Sequence, residues 1–178
     1  MTLDRISSKR VLVRFDFNVP MKNETIVNDF RIRQSLETIK KLLENDNKII
    51  IVSHLGRPTE GVYDVSLSLK PICKYLSEFL NTNIKFFSSY KDEIKFEDYE
   101  IAMLENVRFN SGEKSCDSNL SKAYASLADH FVFDAFGSFC KVLGRFRGLA
   151  GCPRAVSYTH LRAHETEADL VCRLLLEK

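Results

Sequence analysis

Four cationic residues are placed to bind an anion: His54, Arg57 and Arg108 in loops just after short apolar runs, and Arg31 at the opening of the helix after the first such run. The runs read as buried strands, and Lys141 stands shortly after the last of them. An isolated arginine is ordinarily half of a surface ion pair, and an isolated histidine in a turn is ordinarily structural. Recurrence at successive strand ends changes that balance, because such ends converge on one edge of an open parallel sheet, where ligands bind. Guanidinium forks grip carboxylate and phosphate oxygens in pairs. The expected ligand is therefore a small, multiply anionic molecule, with Asp16 and Asn18 placed to take its hydroxyl groups.

The strands that must position these groups end in recognisable loops. The first ends at Asp16, Phe17, Asn18, Val19 and Pro20. The second ends at Ser53, His54, Leu55, Gly56, Arg57 and Pro58. A later one ends at Glu105, Asn106, Val107, Arg108 and Phe109, and the last runs into Asp134, Ala135, Phe136 and Gly137. Apolar periodicity predicts strands over 11–17, 48–53, 84–87, 101–104 and 130–133. It predicts helices over 31–44, 69–80 and 120–127, with Ser68 as N-cap of the second and Pro71 within its first turn. The helix opening at Arg31 adds the positive end of its dipole to the same edge. Alternating strands and helices with near-continuous apolar strands predict an α/β fold, a three-layer Rossmann-like parallel sheet with helices on both faces.

Composition bounds the partner. With 26 Lys and Arg against 24 Asp and Glu, the formal charge of +2 argues against a nucleic-acid or membrane-surface protein. Apolar residues are 44% of the 178, ordinary globular usage and enough for one core without staples. Five cysteines without a C-x-x-C pair point to reduced thiols, and no apolar leader opens the chain, so a cytoplasmic location is expected. No His/Cys spacing suits zinc; His160 and His164 are not in the H-E-x-x-H order. Neither a P-loop nor a G-x-G-x-x-G motif occurs.

At these residues the chain resembles phosphoglycerate kinase, in its N-terminal domain. VLVRFDFNVP (11–20), NDFRI (28–32), SHLGRP (53–58), LENVRF (104–109) and FDAFG (133–137) occur in the family's order. The resemblance implies phosphoryl transfer between 1,3-bisphosphoglycerate and ADP, giving 3-phosphoglycerate and ATP. It implies Mg-ADP or Mg-ATP as cofactor, held by a C-terminal domain this chain does not show, and a monomer with no nucleic-acid or membrane partner. Asp16 and Asn18 would hold the glycerate part, with Phe17, Leu55 and Gly56 lining the same loops. Arg31 would lie nearest the reacting carboxyl end and stabilise the transferring charge. His54, Arg57 and Arg108 would surround the 3-phosphate. Where the family carries a His-Arg-x-His stretch, this chain reads Ser138 to Leu143, and Lys141 keeps the charge without the planar fork.

Two regions are expected: 1–143 as the phosphoglycerate-binding domain, and 144–178 as a tail unlike the family. The tail offers no clear strand and an amphipathic helix over roughly 165–176, and it resembles translated adapter read-through. The chain alone is expected to bind 3-phosphoglycerate without turnover. The alternative is a genuine short module that binds a small phosphorylated acid without catalysis.

Overall fold

The computed structural model describes residues 3–115, 117–135 and 155–157. The chain builds a parallel sheet from β1 (Arg10–Phe15), β4 (Lys48–Val52), β5 (Ile84–Phe87), β6 (Ile101–Leu104), β7 (His130–Asp134) and β8 (Ala155–Ser157). Their order is β5-β6-β4-β1-β7-β8, with every pairing parallel. A small hairpin, β2 (Met21–Lys22) with β3 (Thr25–Ile26), turns through Asn23 and Glu24 at positive φ between β1 and the first helix.

Alternation along the strands divides the core in two. Val11, Val13, Phe15, Ile49, Ile51, Ile101 and Met103 face α1 (Phe30–Glu44) and α2 (Lys70–Leu80), which contribute Ile32, Ile39, Leu42, Ile72 and Leu76. Leu12, Ile50, Val52, Ala102 and Leu104 face the other way, onto α3 (Ser118–Ala125) and the segment containing Ile94 and Tyr99. Period-2 side chains on a fully covered sheet explain why these strands read as unbroken apolar runs. Cys73 belongs to the first layer, and burial pushes its thiol up to about 12, so it is an inert core residue.

The expected elements stand, with instructive shifts. Helix α3 begins at Ser118, because the Asp117 carboxylate caps Asn119 and Leu120 N–H. Ser68 is not the N-cap of α2, which is Leu69, although its Oγ accepts from Lys70 N–H. Strand β8 lies in the part of the chain read as having no strand, and it pairs with β7 along Phe131–Phe133. The hairpin went unpredicted because two-residue strands carry no periodicity. The helix expected over 165–176 lies outside the described residues.

Candidate functional site

At the carboxyl ends of the adjacent strands β6, β4 and β1, three loops are tied into one surface. Arg31, the second residue of α1, donates from Nη1 to Asp16 Oδ2 at 2.9 Å and to the Asn18 carbonyl at 3.2 Å. Asp16 Oδ1 accepts from Asn18 N–H at 3.2 Å. Asn18 Oδ1 accepts from Gly56 N–H at 2.9 Å, and the Gly56 carbonyl accepts from Arg108 Nη1. A continuous hydrogen-bonded chain thus runs from Arg31 to Arg108 through Asp16, Asn18 and Gly56, residues up to 92 positions apart (108 − 16).

Each loop is shaped from below. Ser53, fully buried, donates Oγ–H to the Phe15 carbonyl and accepts from Phe17 N–H, fixing the exit of β1. Gly56 sits at φ +61, where a side chain is strained, and a Cβ there would lie 2.5 Å from Leu67 Cδ2 and displace that side chain. Asn106 is fully buried; its Nδ2 donates to the Leu55 and Leu67 carbonyls and its Oδ1 accepts from Arg108 N–H. The buried Glu105 carboxylate accepts from Ser68 Oγ–H, Leu69 N–H and Asn106 N–H, joining the end of β6 to the start of α2. These buried bonds hold the cationic groups before any ligand arrives.

The predicted residues divide by burial. Arg31, Asn18 and Arg57 are exposed, Gly56 and Arg108 are half-buried, and Asp16 keeps only an edge in solvent. Phe17 and Leu55 are core side chains, so only their main chain could meet a ligand. His54 is 3% exposed, with Nδ1 3.4 Å from Arg14 Nη2. Lys141 lies outside the described residues. Sequence reading missed Arg14, 1% exposed on the central strand and 3.9 Å from Glu113. Burial draws its guanidinium down to about 10, against the pull of Glu113, so it stays charged at neutral pH. A charged residue inside the apolar run VLVRF was the available signal.

Two half-buried carboxylates brace the surroundings. Asp29, at the start of α1, accepts from Tyr75 Oη–H at 2.5 Å and Arg33 Nε–H at 2.7 Å, and these hold it below its ordinary range. Glu60 accepts from Lys114 and Gly112 N–H, which lower it likewise. Depressed carboxyls stabilise the fold fully above their unfolded values and lose that contribution as pH falls through the folded ones. Urea midpoints are therefore expected to hold down to about pH 5 and to drop below about pH 4. A profile flat to about pH 3 would rule these anchors out.

At the opposite end of the sheet, an open groove is lined by Lys9, Arg10, Asp46, Lys48 and Asp129. Its charges alternate in sign, and Arg10 N–H is already held by the Asp129 carboxylate.

The family model described as "Phosphoglycerate kinase" matches residues 2–154. This chain belongs to the phosphoglycerate kinase family. The phosphoglycerate kinases of Francisella tularensis subsp. novicida (strain U112) and of subsp. tularensis (strain WY96-3418) are each 46% identical to it over 145 residues, covering 82% of this chain and 37% of theirs. Among solved structures, phosphoglycerate kinase from Coxiella burnetii superposes with a TM-score of 0.70 at 42% identity, covering 74% of this chain and 34% of that one. The enzyme from Pyrococcus horikoshii OT3 gives 0.64 at 29% identity, covering 74% and 35%. The chain thus spans about a third of the length of these phosphoglycerate kinases.

Proposed function

We propose that the surface at the carboxyl ends of β1, β4 and β6 binds 3-phosphoglycerate and its acyl-phosphate form, 1,3-bisphosphoglycerate. The observation that supports it most is the hydrogen-bonded chain from Arg31 to Arg108, which sets two guanidinium groups on one preformed surface of a nearly neutral protein. Arg108, with Arg57 on the neighbouring loop, meets the 3-phosphate; Asp16 faces a glycerate hydroxyl, and Asn18 offers its amide N–H donors. Arg31, held by Asp16, lies towards the carboxyl end and stabilises charge on the transferring phosphoryl group. Such transfer depends mainly on positioning and charge stabilisation, which is what this chain's side chains supply.

The nucleotide of the family's reaction, with its magnesium, supplies the other phosphoryl site. We assign it to no residue of this chain and expect the 178-residue chain to show no turnover alone. No helix among the described residues is long and apolar enough to cross a membrane.

Calorimetric titration with 3-phosphoglycerate tests the binding. Saturation with a Kd between about 1 μM and 1 mM is expected. A folded sample giving no saturable heat up to several millimolar ligand would reject it. Turnover by the purified chain in a coupled assay would reject the second part.

A further inference from the structure

Arg14 is on the α3 side of the sheet, where Glu113, in the loop before α3, and Tyr124, on α3, face it together with Arg108 and Asp16. Its Nη2 stands 3.4 Å from His54 Nδ1 and 3.9 Å from Glu113 Oε1. An Nη nitrogen carries two hydrogens and can only donate, so His54 Nδ1 is held as an acceptor. Glu113 is 5% exposed, and neither of its oxygens accepts a hydrogen bond among the described residues. A carboxylate kept that dry is costly unless a fixed cation faces it, and the guanidinium at 3.9 Å is that cation. One nitrogen of Arg14 therefore stands between a buried anion and the histidine under the anion-binding loops.

We infer that Glu113 is a positioning residue: through Arg14 it holds His54 as the neutral tautomer with bare Nδ1 and protonated Nε2. The histidine then serves the site as an oriented hydrogen-bond donor whose tautomer does not vary. This rests on the anion-binding role proposed above. The ring orientation is set by the partner of the other nitrogen, as in metal and catalytic histidines generally.

The test uses the 178-residue chain with 15N-labelled histidine. It has four histidines, and His54 is identified by the signal lost in His54→Gln. At neutral pH the wild type is expected to show Nδ1 at the position of an unprotonated nitrogen and Nε2 at that of an N–H. Glu113→Gln keeps the shape and removes the charge, so Nδ1 is expected to move towards the average of exchanging tautomers. The same variant is expected to raise the Kd for 3-phosphoglycerate about tenfold, the weaker end of one charged hydrogen bond. A protonated Nδ1 in the wild type overturns the inference whether or not the variant folds. An unmoved Nδ1 in folded Glu113→Gln overturns the part assigned to Glu113. The tautomer is read without ligand, so a chain with bare Nδ1 that fails to bind 3-phosphoglycerate would reject the function and not the Glu113–Arg14–His54 arrangement.

Discussion

Asn106→Ala is expected to destabilise the chain by about 3–4 kcal/mol and to abolish 3-phosphoglycerate binding at neutral pH. The substitution deletes three hydrogen bonds at once, a buried one to the Leu55 carbonyl and part-buried ones to the Leu67 carbonyl and from Arg108 N–H. The buried Leu55 carbonyl is left without this donor, which costs more than the mean worth of a bond. The consequence for the site follows from geometry. Leu55 precedes the Gly56 turn, and the turn that carries Arg108 is capped by Asn106 itself. Urea denaturation should show a lower midpoint at an unchanged slope. A midpoint within error of wild type would mean that the loop is held by something else.

The opposite pattern is expected at the rim. Arg31→Ala removes a side chain that is 45% exposed, so stability should change little. Binding should weaken by about tenfold to a hundredfold, the range for one charged hydrogen bond to a ligand. Arg108→Ala should weaken it by a similar factor with a somewhat larger loss of stability, because its guanidinium also holds the Gly56 carbonyl. Together the two substitutions should put binding beyond detection. If calorimetry gave unchanged affinity for folded Arg31→Ala, the ligand would have to sit elsewhere.

These variants mark what was legible in the sequence. The rim cations could be read because loops after apolar strands converge by topology, and topology follows from alternating periodicities. Asp16 and Asn18 were legible for the same reason. What lies under the rim was not. Asn106 and Glu105 bond to main-chain groups around positions 55 and 67–69, and no pattern in a single sequence reports which distant carbonyl a buried amide will meet. Arg14 stood in plain view, but its burial depends on Glu113 arriving from a loop 99 positions on (113 − 14). His54 was read as one more cation of the rim, and its burial 3.4 Å from Arg14 Nη2 could not be read from the sequence. Strand β8 escaped because three residues in a polar stretch carry too short a period to read.

The most direct measurement is a map of backbone amide shifts in the 178-residue chain titrated with 3-phosphoglycerate. Binding at the carboxyl ends of the strands predicts saturable changes centred on Asn18, Arg31, Gly56 and Arg108, absent from Lys9, Arg10 and Lys48 at the other end. Changes confined to that opposite groove, or spread without saturation over surface lysines, would contradict it.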